Sequence, residues 1–443
     1  MLALEAEAWP IAFAINGHHA GLHNRSKLPE KSREYLPKAK RSAQELHESD
    51  PSWSLPAIKA KLPQWVERLE FDQRHTAEGW FAAELFTRIL FSALIDADRL
   101  DTEEFEKGKD ASVESRQWLR FDAESLLATL QADLKLRFEA AQREGRTAPE
   151  VLAIRKEVGQ LALEKAREVR GLFSFTVPTG GGKTLASMLF ALAHAVHHNS
   201  LLSNDDRRLR RVIVVIPYLS IIDQTVSELV RVFGKDFVLE HHSQAEEAKP
   251  EDFKGEREDG PIDTNAKRRR LAAENWDAPI VVTTSAQFFS SLYSRRPSKA
   301  RKLHNICQSV VIFDEVQTLP PLLLPPLLDA LDELSKPYPE RPYGCTMVFC
   351  TATQPALEET EDLRCGLKNN RPIVASDRAR EHFTQWHASS TTGLKRARRN
   401  RGTKSLTRCW QLRRSRRRMS GDERACIARW RDVARAHAAA VSV

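Results

Sequence analysis

Cysteine, methionine and tyrosine are scarce in this chain of 443 residues, which has six cysteines, four methionines and five tyrosines. No two cysteines form a C-x-x-C pair, so the sequence predicts neither a zinc site nor a disulfide framework, and we expect free thiols in a reducing cytoplasm. No apolar run approaches the roughly 20 residues that span a bilayer, and the first residues lack the basic segment of a secretory signal. Membrane insertion and secretion are therefore not expected.

Acidic residues are outnumbered by basic ones, 60 against 68, which gives a net charge of +8. Much of the excess lies between Lys395 and Arg424, where apolar residues are few. Such a stretch is a nucleic-acid-binding tail, a solvated disordered tail or a segment translated out of frame, and its thin aromatic content favours the last two. We therefore predict a disordered or non-native basic tail over residues 377–443.

The periodicity of apolar residues divides the rest of the chain into three blocks. Helical spacing dominates up to residue 105, as in Trp80–Phe91, and a charged helical connector covers residues 106–168. Over residues 169–376, short apolar segments alternate with helical ones, which indicates an α/β fold with a parallel sheet covered on both faces. The predicted strands are Leu172–Val177, Val212–Ile216, Ile280–Thr283, Val310–Phe313 and Thr346–Cys350. Residues 244–267 are predicted to form a surface loop.

The most informative segment is the glycine-rich run TVPTGGGKT, Thr176–Thr184, which lies between a predicted strand and the predicted helix Leu185–Ala193. Glycines let backbone N–H groups turn towards phosphates, Lys183 reaches the β and γ oxygens, and the Thr184 hydroxyl coordinates Mg²⁺. The alternative, an ordinary glycine-rich turn, is disfavoured by the strand before the run and the helix after it. The segment predicts an ATP and Mg²⁺ site formed by Thr179, Gly180, Gly181, Gly182, Lys183 and Thr184.

Two adjacent carboxylates, Asp314 and Glu315, follow the predicted strand Val310–Phe313 in the sequence DEVQ. At the carboxyl edge of a sheet, Asp314 can hold Mg²⁺ through water, and Glu315 can polarise the water that attacks the γ-phosphate. Solvated acids at a strand end are the alternative, which a phosphate loop on the same sheet disfavours. We therefore predict ATP hydrolysis, with Asp314, Glu315 and Gln317 as catalytic residues.

Polar segments also follow three other predicted strands, namely Ile216–Thr225, Thr283–Gln287 and Cys350–Thr353. Taken alone, a Ser/Thr cluster after a strand is more often a helix cap than a ligand. In order and spacing, however, the five segments together resemble the motifs of superfamily 2 helicases. The resemblance implies contacts to the nucleic-acid backbone from Pro217, Tyr218, Thr284 and Gln287, and coupling of hydrolysis to strand movement by Thr351 and Thr353.

Adjacent histidines, His18 and His19, follow an apolar helical segment near the start, and the acidic segment Phe91–Glu103 comes later. Together with the phosphate loop and DEVQ, these segments resemble the CRISPR-associated helicase-nuclease of type I interference systems, over residues 10–375. In that family an HD-type metal-dependent DNA nuclease precedes the helicase. The resemblance implies that His18, His19 and Asp98 bind a divalent transition metal, with Asp96 as the alternative to Asp98.

The chain departs from that family's pattern at both ends. The family's earlier histidine, its His-Asp dyad and a further histidine are absent, and the residues after 375 lack the βα pattern of a second RecA-like domain. We therefore expect a form truncated at both ends, with an incomplete metal site and low turnover. The expected domains are a partial HD-type nuclease domain at 1–105, the connector at 106–168, a first RecA-like domain at 169–376 and the tail at 377–443.

Two functions remain open at this point. The first is an ATP-dependent DNA helicase coupled to a metal-dependent nuclease, for which the resemblance implies single-stranded DNA and an RNA-guided CRISPR surveillance complex as partners. The second is a non-catalytic fragment that retains nucleotide and nucleic-acid contacts. A full-length metabolic P-loop ATPase is disfavoured by the helicase-type segments.

Overall fold

The computed structural model describes residues 9–22, 41, 44–45, 48–49, 77–107, 120–145, 147–178, 180–203, 207–242, 264–320, 323–352, 366–382 and 384. The helices are α1 (Trp9–Gly17), α2 (Ala77–Lys107), α3 (Ala123–Glu144), α4 (Pro149–Lys165), α5 (Lys183–Ser200), α6 (Leu219–Phe233), α7 (Thr264–Asn275), α8 (Ser285–Tyr293), α9 (Pro297–Ala300) and α10 (Leu324–Ser335). The strands are β1 (Leu172–Thr176), β2 (Arg211–Ile216), β3 (Val238–His241), β4 (Ile280–Thr284), β5 (Ser309–Phe313), β6 (Thr346–Thr351) and β7 (Arg371–Pro372). None of these helices is both long and apolar enough to cross a bilayer.

A parallel sheet of seven strands, in the order β3-β4-β2-β5-β6-β1-β7, forms the centre of the fold. Every residue of β1, β2, β4, β5 and β6 is buried, because helices cover both faces of the sheet. The α/β prediction is confirmed. Parallel pairing also brings the carboxyl ends of the strands to one edge, with Thr176 opposite Thr351 and Ile216 opposite Thr284.

One face of the sheet is covered by α3, α4, α5 and α6, which share a single hydrophobic core. Leu130 of α3 and Val158 of α4 are fully buried in this core beside Met188 and Phe190 of α5. Helix α3 begins where the Asp122 carboxylate accepts a hydrogen bond from the Ser125 backbone N–H, at 3.2 Å. Helices α3 and α4 lie within the predicted charged connector, and each packs an apolar stripe on α5. The connector as a domain division stays a prediction.

The opposite face packs against α2, α8 and α10 around Trp276. Leu85 of α2 lies in this core with Phe288 and Leu331, so the first half of the long α2 helix docks on the sheet domain. Residues 1–105 are expected to be helical, and most of those that the structure describes are helical. They lie chiefly in α1 and in the part of α2 up to residue 105. Their assignment to an HD-type domain stays a prediction.

Three details differ from the sequence expectations. Strands β3 and β7 were not predicted, because they have only four and two residues and carry no motif. Helix α7 already begins at Thr264, inside the predicted loop. Residues 376–382 are helical, not irregular, because Ala379 is buried in the core and Arg378 Nε donates to Glu157 of α4 at 2.6 Å. The remaining predicted tail, apart from Thr384, lies outside the described residues.

Candidate nucleotide site

The glycine loop forms a narrow backbone turn between β1 and α5. Gly180 and Gly182 have φ angles of +86° and +84°, in the left-handed region that favours glycine. A Cβ atom on Gly181 would lie 2.7 Å from Val177 Cγ1 and 2.9 Å from the Pro178 carbonyl oxygen. Helix α5 begins directly after the loop, so its first free N–H groups and the positive end of its dipole face the same space. This backbone fits a phosphate chain.

Lys183 is the cation at the base of the loop. Its Nζ atom lies 3.0 Å from Asp314 Oδ1 and also forms an ion pair with Glu315, so the two predicted motifs meet in space. Burial opposes the charge of the ammonium group, but the neighbouring carboxylates outweigh burial and raise the pKa of Lys183. Lys183 therefore stays protonated, and the site has the cation and carboxylates that a magnesium nucleotide requires.

Glu315 connects this ion pair to strand β6. Its backbone has a φ of +49°, a left-handed conformation that is uncommon for residues other than glycine. Gln317 donates its side-chain amide to the Glu315 carboxylate, and the Thr351 hydroxyl donates to Gln317 Oε1 at 2.8 Å. A continuous chain of polar contacts thus runs from Lys183 to Thr351. Thr353 and Thr179 lie outside the described residues.

The other predicted nucleic-acid contacts lie along the same edge of the sheet. Tyr218 follows Pro217 at the start of α6 and is 55% exposed, so its ring is accessible to a partner. Thr284 caps helix α8, because its hydroxyl accepts a hydrogen bond from the Gln287 backbone N–H at 3.3 Å. The side chain of Gln287 is itself buried. The capping bond of Thr284 is therefore observed, and its contact with nucleic acid stays a prediction.

A cavity of about 800 Å³ opens beside the glycine loop and extends between α3, α4 and α6. Its charged lining consists of Lys135, Arg137, Arg155, Lys156, Lys183, Glu228, Asp314 and Glu315. Five cations against three anions make the cavity suitable for a polyanion such as a nucleotide triphosphate. Sequence reasoning missed the contribution of α3 and α4, because no motif marks these residues and only the packing of the two helices brings them to the loop.

The predicted metal ligands are not assembled. His18 lies just after α1, where its Nδ1 is 2.6 Å from the Ile15 carbonyl oxygen, and its ring lies 3.8 Å from that of His19. Asp98 is exposed on α2. Within the described ranges, no three His, Cys, Asp or Glu side chains come together in a way that could hold a metal ion. The described residues therefore show no metal site, and the metal role of His18, His19 and Asp98 stays a prediction.

Asp96, the alternative metal ligand, is held in hydrogen bonds and ion pairs within the fold. Its carboxylate accepts a hydrogen bond from Arg301 Nε at 2.6 Å and others from Asn275 Nδ2, and it lies 3.3 Å from His304 Nε2. Burial favours the protonated form, but the bonds from His304 and Arg301 outweigh it and lower the pKa of Asp96 to about 2. Both oxygens are used to fix α2 on the sheet domain.

Comparisons with known proteins find similarity to helicases. Residues 156–362 match the family model of DEAD/DEAH box helicases. The chain is also similar to the CRISPR-associated nuclease/helicase Cas3 of Haloferax volcanii, with 29% identity over 192 residues that cover 42% of this chain and 19% of that protein. The resemblance to the CRISPR-associated helicase-nuclease is thereby confirmed, and the chain spans about a fifth of the length of that relative.

Two solved structures of T. fusca Cas3 are also similar. The structure with ATP has 16% identity and a TM-score of 0.39, and the structure with AMPPNP has 15% identity and a TM-score of 0.40. Each match covers 77% of this chain and 36% of the T. fusca chain.

Proposed function

We propose that this chain binds and hydrolyses ATP and that it acts as a DNA helicase in CRISPR antiviral defence. The observation that carries the proposal is the meeting of Lys183 with Asp314 and Glu315 beside a glycine loop whose backbone suits a phosphate chain. The helicase match over residues 156–362 and the similarity to Cas3 support the same reaction class.

The residues of the site would divide the chemistry between them. Lys183 would exchange its carboxylate partners for β and γ phosphate oxygens, and Thr184 and Asp314 would hold Mg²⁺, which neutralises phosphate charge when bound. Glu315, released from Lys183, would accept the proton of the attacking water. Because Gln317 joins Glu315 to Thr351, any shift of the Glu315 carboxylate would reach the end of β6, where the helicase resemblance places the coupling segment.

The polymer is proposed to be single-stranded DNA, held along the carboxyl edge where Tyr218 is exposed. Recruitment by an RNA-guided surveillance complex and coupling to a nuclease are proposals that rest on the family resemblance. The Haloferax relative, which is named a nuclease/helicase, supports them. A cytoplasmic location is proposed on the same basis.

The test compares ATP·Mg²⁺ binding by calorimetry in the parent chain, Lys183→Ala and Lys235→Ala. We expect Lys183→Ala to abolish binding, because this ammonium group is the cation that the loop directs at the β and γ phosphates. Lys235 is an exposed lysine outside the cavity lining, so its variant should bind like the parent. Equal affinity in the parent and Lys183→Ala would show that the site is wrong.

Hydrolysis is tested separately with Glu315→Gln, which keeps the size of the side chain and removes the base. Loss of a general base typically lowers turnover by about 10² to 10⁴-fold. We expect phosphate release to fall by that amount, with ATP affinity kept. ATP binding without release from the parent chain, with or without single-stranded DNA, would favour the non-catalytic alternative.

A further inference from the structure

Arg155 of α4 extends along the phosphate loop from outside the helicase motifs. Its Nε and Nη2 atoms both donate to the carbonyl oxygen of Gly180, at 3.3 and 2.8 Å. Its Cγ atom lies 3.8 Å from the position that a Cβ atom on Gly182 would occupy. The side chain therefore contacts Gly180, passes beside Gly182 and lines the same cavity as Lys183.

These hydrogen bonds fix one peptide group of the loop. The Gly181 N–H donates to the Pro178 carbonyl oxygen at 2.8 Å, while the carbonyl of the same peptide group, that of Gly180, is held by Arg155. Glycine φ and ψ angles can reorient at little cost, so a peptide plane between two glycines can rotate. A rotated plane would break both hydrogen bonds from Arg155 to the Gly180 carbonyl. Arg155 opposes that rotation.

The guanidinium group is also suited to this position by its charge. Arg137 and Lys183 in the same cavity are each paired with carboxylates, whereas Arg155 has no carboxylate partner among the residues that the structure describes. Burial lowers the pKa of Arg155, but an arginine stays protonated in proteins. Its hydrogen bonds to the carbonyl are therefore charge-assisted, a class roughly twice as strong as neutral ones.

We propose that Arg155 is a positioning residue of the ATP site, which holds the phosphate loop in its binding conformation through the Gly180 carbonyl. The inference rests on the proposed ATP-binding function. It makes α4, a helix outside the predicted RecA-like boundaries, a functional part of the nucleotide site.

The test uses Arg155→Met, which removes every donor, and Arg155→Gln, whose Nε2 reaches the place of Arg155 Nε without a charge. Affinities for ATP·Mg²⁺ and ADP·Mg²⁺ are measured by calorimetry, together with the melting temperature of the nucleotide-free chain. Loss of a charge-assisted hydrogen bond is worth about 1.5 kcal/mol or more, and about 1.4 kcal/mol is tenfold in affinity. We expect Arg155→Met to bind both nucleotides about tenfold more weakly and Arg155→Gln to recover part of the loss.

Arg167→Ala is the matched control, since Arg167 is exposed in the turn after α4 and outside the cavity lining. It should bind like the parent, and Arg155→Met should melt at the same temperature as this control. Unchanged affinity in Arg155→Met would overturn the proposal. A loss that Arg155→Gln does not reduce would also overturn it, because the effect would then come from charge or from misfolding.

The same experiment separates this inference from the proposed function. If the parent binds no ATP, or if Lys183→Ala binds as well as the parent, the proposed function fails and the inference fails with it. If the parent binds, Lys183→Ala does not, and Arg155→Met equals the parent, only the role of Arg155 is wrong.

Discussion

Asp96 and Asp98 stand two positions apart on α2, yet their surroundings differ completely. Asp96 is 6% exposed and bonded to Arg301, which is itself buried, whereas Asp98 is exposed. Removing one partner of a buried ion pair typically costs about 3 to 5 kcal/mol, because the other charge is left uncompensated. We expect Asp96→Ala to lower the free energy of unfolding by about 3 kcal/mol, measured by urea denaturation, and Asp98→Ala to leave it within about 0.5 kcal/mol.

The pH dependence of stability supplies an independent check on Asp96. Its pKa is about 2 in the folded chain against an ordinary value of 3.8, so its contribution is fully present above pH 3.8 and is lost as the pH falls through 2. We expect the unfolding free energy of the parent to fall more steeply than that of Asp96→Ala in this acid range. Parallel curves, or a destabilised Asp98→Ala with a stable Asp96→Ala, would contradict the structural role.

At the scale of elements, the charged helix α3 matters most, because its amphipathic pattern reveals a packing face but not the partner of that face. Leu130 is fully buried against α5, while Leu136 on the same helix is 66% exposed. Truncation of a buried leucine to alanine costs about 2 to 5 kcal/mol through lost burial and the cavity that remains. We expect Leu130→Ala to lower the unfolding free energy by about 3 kcal/mol.

Leu136→Ala is the control for this prediction and should change stability by less than about 0.5 kcal/mol. Both free energies come from the same denaturant titration. Similar values for the two variants would mean that α3 does not pack on the sheet domain and is an independent connector.

At the scale of the whole molecule, two exposed tyrosines mark the two opposite edges of the sheet. Tyr218 follows β2 at the carboxyl edge, and Tyr338 precedes β6 at the amino edge. Stacking of a base on an aromatic ring is worth about 1 to 3 kcal/mol. If DNA lies along the carboxyl edge, Tyr218→Ala should weaken binding of fluorescently labelled single-stranded DNA by about tenfold or more, measured by anisotropy.

Tyr338→Ala should leave the same DNA affinity unchanged. Equal losses in the two variants would indicate unspecific effects of surface tyrosines, and a loss in Tyr338→Ala alone would place the DNA on the other edge. ATP affinity, measured in parallel, should not change in either variant, because neither ring lines the nucleotide cavity.

The sequence by itself determined the α/β class and the nucleotide motifs. Continuous apolar runs such as Val212–Ile216 are typical of strands buried on both faces, and the order of parallel strands forces their carboxyl ends to one edge. The meeting of Lys183 with Asp314 and Glu315 could therefore be predicted, because local motifs and sheet geometry suffice for it.

Only the tertiary structure decided which face each helix covers and what each polar side chain contacts. The bond of Arg155 to Gly180, the burial of Asp96 beside an exposed Asp98, and the capping bond of Thr284 depend on where elements distant in sequence, or their ends, are placed. The spacing of apolar residues in a helix predicts which stripe of the helix will be buried, but it does not predict which element will cover that stripe. Packing against α5 and the sheet supplies that partner, and it brings residues of the charged helices α3 and α4 to the cavity beside the glycine loop.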